Sequence, residues 1–178
     1  MVDGINKLLA NKTFKNLVSS AEVIMKEREF FMLVDSGNNN DKVLVQGIVD
    51  LVIINNNELT IIDYKTGKAE VEYLDMKHIF HRSENQDKAL QTMLYCWLLE
   101  QKSPELLANS LYIAPHIYPV RSILKLNENQ TLVHQKGYNN FVWNEEIKKE
   151  FLDELNILIQ EIYNPELPFS PTAISKRC

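Results

Sequence analysis

Two apolar runs constrain this chain more than any other feature: "KVLVQGIVDLVII", residues 42–54, and "ELTIIDYK", residues 58–65, separated by a cluster of Asn. Runs rich in Val, Ile and Leu with a short Asn-rich link predict a strand–turn–strand hairpin. Three charges interrupt them: Asp50, Asp63 and Lys65. If Asn56 and Asn57 form a two-residue turn, Asn55 faces Glu58 and every cross-strand pair has residue numbers summing to 113. Asp50 and Asp63 are such a pair, with Cβ atoms about 4.5–5.5 Å apart, and Lys65 shares their face because strand side chains alternate. A turn of three or four residues would shift the pairing but keep Asp63 and Lys65 on one face. The expected neighbours on that face are Ile48, Val52, Ile54, Leu59 and Ile61, with Val49, Leu51, Ile53 and Ile62 on the other. Both faces are apolar, which predicts a central position in a sheet.

Like charges directly opposite each other destabilise a sheet, and burying two carboxylates costs several kcal/mol unless a counter-ion balances them. A single lysine is insufficient. A divalent cation satisfies the arrangement, since Mg²⁺ takes one or two carboxylates and completes an octahedral shell with water and phosphate oxygens. An Asp–Lys ion pair at a frayed strand end also fits the spacing, and would carry no chemistry.

Around this hairpin, residues 4–19 have the apolar spacing of a short helix, residues 22–34 read as a strand, and "DSGNNND" as a turn. Residues 66–84 lack sustained periodicity and read as an irregular connection. "ENQDKALQTMLYCWLLEQ" predicts a helix with Leu90, Leu94, Trp97 and Leu98 on its apolar stripe, ending before Pro104. "SLYIAPHIYPVRSILKL" predicts one or two strands interrupted at Pro115 and Pro119. A last helix starts at an Asn cap, residue 144, with Ile147, Phe151, Leu155, Leu158 and Ile162 as the stripe that packs on the domain.

Composition narrows the class. Of 178 residues, 45% are hydrophobic and 24% charged, as in soluble globular domains. No apolar run reaches the roughly 18 residues of a membrane span, and the N-terminus lacks a secretory pattern, so the expectation is a cytoplasmic protein with no membrane partner. A net charge of −5 argues against binding polyanions through global charge, although a local basic groove remains compatible. Lys68, Lys77, Arg82 and Lys88 could line one, but Glu70, Glu72, Asp75, Glu84 and Asp87 are interleaved with them. Cys96 and Cys178 are too few for a disulfide framework or a metal cage. Cys96, Trp97 and Leu98 read as core, and His78 and His81 as groups that meet solvent or phosphate rather than a metal.

Taken in order, "GIVD" at 47–50, "DYK" at 63–65 and "QTMLY" at 91–95 resemble the G-x-x-D, D-x-K and Q-x-x-x-Y motifs of the PD-(D/E)xK nuclease superfamily. The similarity is in particular to the RecB-type branch, found at the ends of helicase–nuclease chains of the AddAB and RecBCD type. "KEREF" resembles the E-x-x-F strand that precedes G-x-x-D, with Glu27 as the matching Glu. The resemblance covers roughly residues 22–115 and implies an α/β fold with a restriction-endonuclease-like core, a central mixed β-sheet flanked by helices. On that basis residues 1–178 form a single nuclease-like domain, with its core over 22–126, a C-terminal helix over 144–163 and an extended tail over 164–178.

The resemblance implies that Asp50 and Asp63 bind Mg²⁺, or alternatively Mn²⁺, with the backbone carbonyl of Tyr64. Lys65 would position or activate the attacking water and stabilise charge on the scissile phosphate. Gln91 and Tyr95 would flank the site and contact DNA, joined by Lys88 three residues earlier on the helix. The implied activity is phosphodiester hydrolysis by the exonuclease module of a DNA repair and recombination helicase–nuclease. Single-stranded ends would be delivered by a helicase domain or subunit in cis or in trans. Two departures stand out: no His precedes residue 78 to serve as the further upstream ligand, with Glu22 a weak substitute, and "PFSPT" is followed by only one Cys. An iron–sulfur cluster cannot be held by these cysteines. Both departures lie at the ends, which leads to the expectation of a domain excised from a longer chain. The alternatives are a catalytically inactive nucleic-acid-binding module of the same fold and an interaction domain in which the Asp–Lys cluster is structural.

Overall fold

The computed structural model describes residues 12–37, 41–55, 58–66, 72–73, 76–80, 86–107, 112–120, 130–131, 134–135 and 142–168. Helix α1 spans Lys12–Ser19, strand β1 Val23–Asp35, β2 Lys42–Asn55 and β3 Glu58–Lys65. A crossover with β4 at Glu72–Tyr73, α2 at Met76–Phe80, α3 at Gln86–Lys102 and α4 at Pro104–Leu107 leads to β5 at Tyr112–Pro119. Then come β6 at Gln130–Thr131, β7 at His134–Gln135 and α5 at Glu145–Ile162. The main sheet has the order β1-β2-β3-β5-β6, antiparallel except for the parallel pair β3–β5. A parallel pair needs a long crossover, and α2 and α3 supply it. This is the α/β architecture that the sequence predicts, with a mixed sheet flanked by helices. Strands β4 and β7 pair separately.

The hairpin register follows the two-residue turn. Pairs run from Asn55↔Glu58 through Val52↔Ile61 to Leu51↔Ile62, each summing to 113. The face assignment departs from strict alternation. Val49 and Val52, an odd and an even position, are both fully buried in the core beneath α3, whereas Leu51 joins Ile53, Ile62 and Tyr118 in a second core beneath α1. Ile48, expected beside Val52, is 51% exposed instead. The ribbon therefore turns over at Asp50. On β1 the same reversal occurs at Glu27, whose φ of 48° is left-handed, and the flanking pairs Lys26↔Leu51 and Arg28↔Val49 place Glu27 opposite Asp50. Beyond the reversal, Phe30, Met32 and Val34 serve the core, and Phe31, Leu33, Leu44 and Ile48 face water.

Pro115 does not break β5, which runs unbroken beside β3. Ile113 accepts the Trp143 N–H at 2.9 Å on the far side of β5, and Ile117 pairs there with Gln130. By alternation Pro115 points its missing N–H to that same outer edge, where no ladder bond is lost to β3.

The region read as an irregular connection contains α2, whose Met76, Ile79 and Phe80 are buried at helical spacing. Helix α3 is buried on more than one stripe: Ala89, Met93, Cys96 and Leu99 are buried together with Tyr95, Trp97 and Leu98, while Leu90 and Leu94 are half-buried. Helix α5 begins at the expected cap, where the Asn144 side chain accepts the Ile147 N–H at 2.9 Å, and Glu145 and Glu146 sit favourably at its N-terminus. Its buried positions are Phe151, Leu155 and Ile159; Ile162, expected on the stripe, is exposed. Phe151 meets the rings of Phe80, Trp143 and Trp97 at 5.6, 5.5 and 6.4 Å and locks α5 to the crossover helices. Residues 4–11, Lys68, Glu70, Asp75, His81, Arg82, Glu84, the tail from 169 and Cys178 lie outside the described residues, as do the side chains of His78 and Glu72. Among the described residues no helix is long and apolar enough to cross a membrane.

Candidate functional site

Past Leu51↔Ile62 the β2–β3 ladder ends, and the acidic pair sits at this splayed end. Instead of facing Asp63 through a further rung, Asp50 directs its Oδ2 to the backbone N–H of Tyr64 at 2.7 Å. The reversal at Glu27 and Asp50 is what frees this carboxylate from strict alternation. Asp63 continues the inner face of β3 and is 2% exposed. Its Oδ2 lies 2.7 Å from Lys65 Nζ, an ionic contact in which the buried oxygen gains no hydrogen bond. Burial pushes the Asp63 carboxyl above its ordinary pKa, and the Asp50 charge adds to this, while Lys65 and Lys88 pull it down.

Helix α3 completes the cluster because Gln91 and Tyr95, four apart, share one face. Lys65 Nζ donates to Gln91 Oε1 at 2.6 Å, and Gln91 Nε2 donates to Tyr95 Oη at 2.7 Å. Both ends of the amide are thus used, with its oxygen toward the ammonium and its nitrogen toward the phenol. Tyr95 is 5% exposed, and burial first, then the Asp63 charge, raises its hydroxyl pKa. The structure therefore gathers Asp50, Asp63, Lys65, Gln91 and Tyr95, with Lys88 near enough to favour the charged form of Asp63. Tyr64 contributes its backbone here, while its ring turns to the opposite face and meets Tyr118 edge-on at 5.8 Å. Glu22 is remote: its N–H bonds Ile54 O at 2.8 Å, four positions along β2 from Asp50, or about 13 Å at the strand rise.

A family model described as the PD-(D/E)XK nuclease superfamily matches residues 4–178. The chain belongs to the PD-(D/E)XK nuclease superfamily. A search of curated proteins gives no match. Among solved structures, the crystal structure of SSO0001 is similar at a TM-score of 0.38 and 14% identity, over 90% of this chain and 59% of that one. The chain thus spans about three-fifths of that protein's length.

PD-(D/E)XK nucleases typically use a divalent metal such as Mg²⁺, and the donors present fit one. Among the described residues no group of three or more His, Cys, Asp and Glu is gathered for a metal, so the carboxylates at hand are those of Asp50 and Asp63. That is the small set of hard oxygen donors Mg²⁺ takes when it keeps several waters. Asp63, buried against a single ammonium while a second carboxylate stands near, suits a further cation.

Two structural features beside this cluster escape sequence reading. One is the left-handed backbone at Glu27, which residue type does not encode. The other is Gly47: a Cβ there would lie 2.6 Å from Tyr95 Cε1, so the first residue of "GIVD" and the last of "QTMLY" touch. The signal was the glycine itself, a weak strand former inside an otherwise apolar run.

Proposed function

We propose that the chain is a Mg²⁺-dependent deoxyribonuclease domain of the RecB type. In this reading it acts in the cytoplasm as the exonuclease module of DNA repair and recombination, on single-stranded ends supplied by a helicase domain or subunit. The observation that carries the reading is the convergence of Asp63, Lys65 and Gln91 in contacts of 2.6–2.7 Å beside the Asp50 carboxylate. Asp50, Asp63 and the Tyr64 carbonyl would hold the metal. When bound, Mg²⁺ lowers the pKa of its water and neutralises charge building on the phosphoryl group.

The chain's own groups supply orientation. Lys65 is held by its ion pair with Asp63 and its hydrogen bond to Gln91, and its remaining donor capacity is available to the scissile phosphate or the attacking water. Gln91 fixes the ammonium from the helix side. Tyr95, buried behind Gln91, acts through it rather than on the DNA. Lys88, half-exposed at the start of α3, suits a contact to the phosphate backbone.

The test is degradation of end-labelled single- and double-stranded DNA with Mg²⁺ or Mn²⁺ by the wild-type chain and Lys65→Ala. Metal-dependent loss of label that Lys65→Ala abolishes is expected, and cleavage surviving in Lys65→Ala would refute the assignment. One observation favours a second reading. With Glu22 about 13 Å along the strand, the described residues bring no third acidic group to the centre, which suits a binding module that has lost turnover. DNA binding without cleavage in either metal would establish that alternative.

A further inference from the structure

We propose that Gly47 and Tyr95 are positioning residues that set the Lys65 ammonium, a role that rests on the nuclease reading of the same site. Gly47 does not adopt a left-handed φ, so its lack of a side chain serves the approach of a neighbour, not backbone freedom. An added Cβ would meet Tyr95 Cε1 at 2.6 Å and Cδ1 at 3.0 Å, with Leu98 Cδ1 at 3.5 Å behind them. The missing side chain is the seat of the tyrosine ring. The seat is rigid: Phe30 pairs with Gly47 across the ladder, and Leu98 is fully buried.

From the seat, orientation passes along three polar contacts. Tyr95 Oη accepts from Gln91 Nε2 at 2.7 Å, Gln91 Oε1 accepts from Lys65 Nζ at 2.6 Å, and Nζ stands 2.7 Å from Asp63 Oδ2. The donor-only ammonium fixes the amide's orientation, and the seated phenol, which can accept as well as donate, receives the NH₂ and fixes where the amide stands. Were the amide turned end for end, its NH₂ would face the ammonium and donor would meet donor. Gly47 also lies three residues before Asp50 on β2, so one strand supplies both a carboxylate and the gauge for the lysine opposite it. The arrangement closes a circuit from β2 through α3 to β3, in which the ring's depth on Gly47 fixes how far Gln91 reaches.

Gly47→Ala lifts the ring and Tyr95→Phe removes only the hydroxyl, so the two variants cut the circuit at different points. In the full chain with Mg²⁺, Gly47→Ala is expected to lower kcat about 10- to 100-fold, as displacements near 1 Å do, with KM for DNA little changed. Tyr95→Phe should lower kcat in the same sense by less. In the double variant Gly47→Ala/Tyr95→Leu the crowding is relieved, so its kcat should match Tyr95→Leu alone.

A second readout needs no turnover: the Lys65 Cε–Nζ correlation in isotope-labelled protein, assigned by its loss in Lys65→Ala. It should move in both Gly47→Ala and Tyr95→Phe. A signal that moves in the variants, together with a wild-type chain that cleaves no DNA, would support the relay while defeating the nuclease reading. An unmoved signal in the folded variants, or additive losses in the double variant, would overturn the relay. If Gly47→Ala does not fold, Tyr95→Phe, which leaves the ring seated, decides by its Lys65 signal alone.

Discussion

Asp50 Oδ2 accepts the backbone N–H of Tyr64 at 2.7 Å, just beyond the last rung between β2 and β3. The carboxylate therefore ties the two strands where their ladder ends, in addition to the metal-binding role proposed for it. Asp50→Asn keeps a side-chain acceptor and Asp50→Ala removes it. Urea unfolding should find the Ala variant less stable than wild type by about 1–2 kcal/mol, the cost of a hydrogen bond to a charged group, and the Asn variant by less than half of that. Both should lose Mg²⁺-dependent cleavage. Equal stability of the Ala variant and wild type would remove the tie from the account.

Asp63 is costly to the metal-free fold, because its carboxylate is buried against a single ammonium. Asp63→Asn removes the charge and keeps the shape. In EDTA it should unfold at a temperature about 2–4 °C higher than wild type, corresponding to about 1 kcal/mol for a chain of this size. Adding Mg²⁺ should raise the wild-type midpoint and leave Asp63→Asn where it was. Calorimetry with and without Mg²⁺ checks both, and an equal Mg²⁺ response in the two proteins would exclude Asp63 as a ligand.

His116 on β5, paired with Ile62 and lying with Leu17 and Tyr118 on the sheet face opposite Asp63, gives a separate pH signature. Burial lowers its pKa from 6.5, against the opposing pull of Glu58. The folded chain thus binds this proton less readily than the unfolded chain does. Its contribution to stability is intact above about pH 6.5 and is lost as pH falls from there through the lower folded value. Denaturant titrations at pH 7, 6 and 5 should show a steeper acid loss for wild type than for His116→Gln. Parallel curves would contradict the assignment.

Glu27 occupies left-handed backbone that side chains disfavour. Glu27→Gly should stabilise the chain by about 1 kcal/mol, and Glu27→Val should destabilise it by about 1–2 kcal/mol. If thermal melts of the two variants coincide, the reversal at Glu27 is not held in solution.

The sequence made the hairpin register legible because a two-residue Asn turn leaves one way to pair the strands, and Asn55↔Glu58 follows from it. The motif residues came from the resemblance to the superfamily, and four-residue spacing put Gln91 with Tyr95. Face reversal at Glu27 and Asp50 was not legible, since alternation assumes extended backbone at every position and no residue type here announces otherwise. Helix α2 was missed because five residues give a single i, i+3, i+4 repeat, too short to stand out from a polar connection. The shift from Ile162 to Ile159 on α5 has a tertiary cause: Phe151 is fixed by three rings, and the helix turns about that anchor. Helical spacing put Tyr95 on the same side as Gln91 but did not tell how deeply that side is sunk, which the fold shows as 5% exposure.

Every group in the centre, from Gly47 to Tyr95, belongs to one stretch of chain, whereas the Phe151 anchor that clamps the crossover helices comes 56 residues after Tyr95. During synthesis at roughly 5–20 residues per second, the nascent protein must wait several seconds between having all its reactive parts and having the clasp that holds them. Helix α5, emerging after those parts, therefore times when the assembled centre becomes rigid.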